Sequence, residues 1–168
     1  MNVRKKFFLV LIFINAVILI YTAYCARVFD YEWCGYTFVG VFLWTVGIIM
    51  VTPPDRPIKW YTTEKLLSYP LLSLIVFVVI FYTSGLFDFL LKAIVLFVLG
   101  ELLVYALQKK LSKEIALVYY SILMILAWVL LYKYPLIALS YSLFAVYCAM
   151  NLLQLTNGND GESIERAS

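Results

Sequence analysis

Not one histidine occurs in the 168 residues. That absence removes the commonest general base, the Ser-His and Cys-His nucleophile pairs, haem ligation through imidazole and most zinc sites. Charge is scarce as well, at 14% of residues against about 25% in an average soluble domain. No two acidic residues share an apolar stretch at helical spacing, so a carboxylate pair for Mg²⁺-assisted lipid phosphate chemistry is missing. Neither a P-loop nor a GxGxxG occurs. The three cysteines form no CxxC, which argues against a quinone-linked disulfide enzyme. Basic residues fall in loops where membrane topology already explains them, so nucleic-acid binding has no support. No cofactor or metal is implied, and nothing argues for an enzyme.

What remains is hydrocarbon. Apolar residues make up 65% of the chain, and mean hydropathy is +0.95. So little polar surface could not cover so much apolar surface in water. A helix needs about 20 mostly apolar residues to cross a hydrocarbon core about 30 Å thick. Six stretches qualify or nearly do: 7–25, 36–51 (or 33–51), 68–85, 89–107, 115–132 and 136–154. Strands of a membrane barrel would be about ten residues long and alternate with period two, and these runs do neither. The expected fold is all-α, a polytopic integral membrane bundle of six transmembrane helices. One domain covers 1–155, and the polar, net acidic end "TNGNDGESIERAS" predicts a disordered cytoplasmic tail over 156–168.

Lys and Arg give the orientation. Arg4, Lys5, Lys6, Arg56, Lys59, Lys65, Lys109, Lys110, Lys113 and Arg166 share one side, leaving Arg27, Lys133 and Lys92 for the other. Short basic loops stay cytoplasmic, so both termini are expected inside, in the cell membrane. Tyr31, Trp33, Tyr36, Tyr82, Tyr132 and Tyr134 then mark the outer boundary, with Trp60, Tyr61 and Tyr69 at the inner one. Trp44 is deeper and should pack. The first apolar run is about 19 residues, longer than the 7–15 of a cleaved signal peptide, so it reads as an uncleaved helix.

The longest connection, "TPPDRPIKWYTTEK", stops the second helix at Pro53, Pro54 and Pro57. Thr62 or Thr63 could cap a short turn before Pro70. Cys25 and Cys34 bracket the outer loop "ARVFDYEW". In an oxidising exterior they could form a disulfide; otherwise they are two free thiols at a boundary. Cys148 lies alone in the last span.

Glu101 stands out in "FVLGELLVYALQKK". Helical rise puts it roughly 9 Å from Leu107 and roughly 18 Å from Phe89, too deep for an ionised group without protein or water beside it. Tyr105 and Gln108 share its face at i+4 and i+7, and Gly100 leaves room for a neighbouring helix. Lys92 instead pairs with Asp88. At comparable depth the other spans offer Asn15, Thr45, Ser73, Tyr119, Tyr120, Ser121 and Tyr147, with Asn151 nearer the surface. Thr22, Thr83 and Ser140 count to the outer half.

Two functions follow. In one, the chain is a small-molecule or ion carrier, or its membrane subunit, with Glu101, Tyr105, Gln108, Asn15 and Tyr147 lining a buried polar site. In the other it is a structural or assembly protein, partnered by the bilayer and by other membrane subunits, whose polar layer holds helices together. A lipid-modifying enzyme trails both for want of catalytic groups.

Overall fold

The computed structural model describes residues 3–29, 32–52 and 59–165. The prolines at 53, 54 and 57, with Tyr31, Arg56 and Arg166, lie outside the described residues. So do the side chains of Arg4, Trp33, Lys59, Trp60, Tyr61, Thr62 and 157–165. Six helices and no strand occur among the described residues: α1 (Val3–Phe29), α2 (Glu32–Met50), α3 (Lys59–Tyr82), α4 (Leu86–Lys109), α5 (Lys113–Leu130) and α6 (Pro135–Glu165). Five are long and apolar enough to cross a membrane. The apolar part of α2, Cys34–Met50, is shorter.

Helix boundaries follow local chemistry. Gly85 precedes α4 in an extended conformation, with Asp88 in the first turn and Lys109 in the last, each sign complementing the helix dipole. Ser112 caps α5, its hydroxyl accepting from the Ile115 amide at 3.3 Å. Pro135 opens α6, where a missing N–H costs nothing. The Asp88–Lys92 pair forms at 2.7 Å, and Lys92 also donates to the Tyr82 carbonyl at 3.2 Å.

Consecutive helices pair as three antiparallel hairpins, α1–α2, α3–α4 and α5–α6, and α6 packs also on α1, α2 and α3. It is the axle of the bundle. Its face Ile137, Ser140, Tyr141, Phe144, Tyr147, Cys148, Asn151 and Leu152 is fully buried. By contrast α4 packs chiefly on α3, and most of its surface is open. Trp44 fills the centre, against Phe77 at 5.4 Å and Tyr141 at 5.1 Å between ring centroids. Polarity is inverted relative to a protein in water. Asn15, Thr22, Ser140 and Asn151 are buried, while Phe13, Ile20, Phe87, Ile94 and Leu102 are exposed. Contiguous apolar surface on this scale is the mark of a membrane-facing exterior.

The third helix departs from expectation. Its membrane stretch reads from 68 in the sequence, with a capped turn before Pro70. The helix instead begins at Lys59 and runs straight through Thr63 and Pro70. Proline costs an α-helix one hydrogen bond, leaving the carbonyl four residues earlier without its donor, and a side chain from another helix supplies the replacement.

Candidate functional site

That replacement comes from Tyr120, and two further tyrosines bond to the same stretch of α3. Pro70 has no N–H for the Leu66 carbonyl, and the Tyr120 hydroxyl donates to it at 2.6 Å. One residue on, the Leu67 carbonyl accepts from Tyr119 at 2.6 Å. From α6, Tyr141 donates to the Pro70 carbonyl at 2.9 Å, which Ser73 also reaches at 3.0 Å. All three tyrosines are buried. Sequence reading placed Tyr119 and Tyr120 in a general polar layer and missed their partners. The available signal was Pro70 itself, a proline inside an apolar helix with a Tyr pair elsewhere at similar depth.

A second group lies along α6. Ser140 donates to Asn15 Oδ1 at 2.5 Å, and Asn15 Nδ2 donates to the Leu11 carbonyl at 2.8 Å. Ser140, counted from its own helix end, belongs to the outer half, yet it meets the residue assigned to the inner half. Asn15 is nearly mid-helix in α1, so a few residues of error at each end erase the distinction. Further along, the hydroxyls of Tyr147 and Thr52 lie 3.2 Å apart. Phe7 stacks on the Tyr147 ring, with Phe8 tilted against it. Thr45 and Ser121 bond back to their own helices, through Val41 and Leu117.

Glu101 joins none of these. It is exposed on α4, with no hydrogen bond or ion pair to the described residues. Helical residues advance about 100° each. Gly100 meets Ile75 and Leu71 of α3, and with Ala93 and Val104, also buried, it marks the face turned to α3. Glu101, Tyr105 and Gln108 lie together on one flank of that face. Tyr105 is exposed, and its ring carries Lys109 Nζ 4.3 Å from the centroid; Gln108 is half-buried. Asn15 and Tyr147 are in the α1–α2–α6 interior. The five residues expected to line one cavity therefore divide between the outside of α4 and the core of the bundle. A helix apolar all round gives no amphipathic signal for its rotation, which is why sequence alone turned Glu101 inward.

Cys25 and Cys34 are both buried and both free thiols. Their side chains interact with each other, and Tyr21 lies beside Cys25. The sulfurs are thus neighbours across the α1–α2 hairpin without being joined. Among the described residues, no group of three or more Cys, Asp or Glu could hold a metal.

No protein-family model, curated protein or solved structure matches this chain. What the buried side chains can do follows from their geometry.

Two asparagines give a contrast in that geometry. Asn15 is bonded, whereas neither amide atom of buried Asn151 has a hydrogen-bond partner among the described residues. An interhelical hydrogen bond between membrane helices is worth about 0.6 kcal/mol and at most about 1.7, while an orphaned buried amide costs roughly 1–3 kcal/mol. Asn15→Leu should therefore lower stability by about 1 kcal/mol, and Asn151→Leu should leave it unchanged or raise it. Reversible unfolding in mixed micelles measures both.

Proposed function

We propose that the chain is a six-span protein of the cell membrane, with both termini in the cytoplasm, acting as an assembly subunit. Its α4 helix presents Glu101 to a transmembrane helix of another subunit. The orientation is supported by ten of the thirteen Lys and Arg residues falling on the side of the termini. The sixth span is α2. Its 17-residue apolar part has a length of about 26 Å, and its packing on α1, α3 and α6 keeps it level with longer neighbours.

One observation carries the assembly role: a carboxylate about two-thirds of the way along a peripheral apolar helix, exposed and without a partner among the described residues. Insertion scales put an acid at the centre of a membrane helix at about 2.5–3.5 kcal/mol. Such groups face protein or water, and here the chain's own bundle is on another side. A second transmembrane helix offering a hydroxyl, amide or basic group at that depth removes the cost. The carrier alternative requires Glu101, Asn15 and Tyr147 around one cavity, and the filled core between them gives it less support.

Val98 is exposed on α4, one turn from Glu101. A photo-crosslinking phenylalanine analogue at Val98 should yield a discrete adduct above the monomer in intact membranes. Glu101→Leu should cut that yield at least tenfold and Glu101→Gln less. Neither should move the monomer's own unfolding by more than about 0.5 kcal/mol, the usual limit for a side chain with no contacts. A wild-type chain that gives no adduct, or a Leu variant that crosslinks equally, refutes the proposal.

A further inference from the structure

The flank of α4 opposite Glu101 has a separate feature. Helices α4 and α5 are joined by a turn of only a few residues, yet they diverge. One packs on α3 while the other packs on α6 and α3. Between them opens an apolar groove of about 510 Å³, floored by Leu71 and walled by Leu103 and Leu107 of α4 and Val118, Ile122 and Leu126 of α5. Tyr119 also lines it, but its hydroxyl is turned away to the Leu67 carbonyl. The groove therefore presents almost nothing polar along its length.

Length and charge identify an occupant. From Glu114 to Leu126 the α5 wall rises about 18 Å, close to the roughly 15 Å depth of one leaflet, half of a 30 Å core. A single acyl chain, lying along the helices, has that reach. At the groove's mouth is the connecting turn with its flanks, "QKKLSKE". Lys109 and Lys110 close α4, and Lys113 opens α5. All three are exposed, against one acid, the exposed Glu114. Lys109 rests on the Tyr105 ring, on the Glu101 flank, which leaves Lys110 and Lys113 as the exposed cations of the turn itself. Basic clusters at the rim between transmembrane helices recruit anionic headgroups.

We propose that the α4–α5 groove binds an anionic glycerophospholipid, with one acyl chain between the helices and the phosphate at Lys110 and Lys113 of the connecting turn. The site depends on the chain being in a bilayer and is independent of Glu101, which faces the other flank. The lipid completes a wall that the protein leaves open, wedging α4 at its preferred distance from α5.

The test uses the full chain, delipidated in a neutral detergent, with short-chain phosphatidylglycerol and phosphatidylcholine as probes. Native mass spectrometry should retain one phosphatidylglycerol at least tenfold more strongly than phosphatidylcholine. Lys110→Gln with Lys113→Gln should abolish that preference. Val118→Trp, at an exposed position on the groove wall, should block binding of the anionic lipid with both lysines intact. Two results would overturn the proposal. One is equal retention of the two lipids by the wild type, which reduces the groove to ordinary solvation by hydrocarbon. The other is undiminished phosphatidylglycerol binding by Val118→Trp, which leaves surface lysines acting without a groove. Glu101→Leu should bind the lipid as wild type does, so this result and the crosslinking result fail separately.

Discussion

Tyr120→Phe should destabilise the protein by about 1–3 kcal/mol, the cost of leaving a buried carbonyl without its donor. The ring stays, so its edge-on packing with Tyr119 at 5.2 Å is kept and only the hydroxyl is lost. What makes the prediction specific is its dependence on Pro70. In a Pro70→Ala background residue 70 regains an N–H, and the Leu66 carbonyl recovers an ordinary helical partner. The penalty for Tyr120→Phe should then fall below about 1 kcal/mol, the scale of a typical interhelical bond between membrane helices. Tyr141→Phe provides the control, because its acceptor, the Pro70 carbonyl, is not one that proline deprives. Its cost should be the same in both backgrounds. Unfolding of the four combinations at residues 70 and 120 in mixed micelles gives the coupling directly, and a Tyr120→Phe cost that ignores residue 70 would show that the hydroxyl does not serve the proline turn.

The second large effect belongs to Gly40. A Cβ there would sit 2.8 and 2.9 Å from ring atoms of Phe77 and 3.0 Å from Ile137 Cγ2. Phe77 cannot swing aside, since it is buried between Trp44 and Phe81, with the latter ring at 4.9 Å. Gly40→Leu should therefore push α2 off α3 and α6 at a cost of about 1–3 kcal/mol or more. Adding Phe77→Ala should recover part of the loss by making room. Gly35, on the same helix, has nothing within 4 Å of its would-be Cβ. Gly35→Ala should be neutral or stabilising by up to about 1 kcal/mol, as helix propensity alone dictates. If the two glycines respond alike, the close approach at Gly40 is not what holds α2.

The class of this fold was legible because bilayers and water impose such different compositions. Each of the six apolar stretches matches one of the six helices, overrunning its end by at most three residues, and Trp44 packs at depth as its position implied. Rotation about each helix axis was not legible. Leu, Ile, Val and Phe surround α4 on every side, so nothing in the residues around Glu101 says which way it turns; only the three-dimensional packing on α3 does. Depth was legible to a few residues and no better, which separated Ser140 from Asn15 on paper although they touch. Pro70 was misread for a different reason. Local rules end a helix near proline, and the hydroxyls that let α3 continue arrive from more than fifty positions away.

That separation has a cost in time during biosynthesis. Residue 120 leaves the ribosome 54 residues after residue 66, a delay of roughly 3–10 s at ordinary elongation rates of about 5–20 residues per second. Throughout it, the nascent third helix displays an unmet carbonyl that only a later-made segment can cover. A chain truncated before position 119 would carry that notch permanently, a ready handle for membrane proteases and chaperones that discriminate finished bundles from stalled ones.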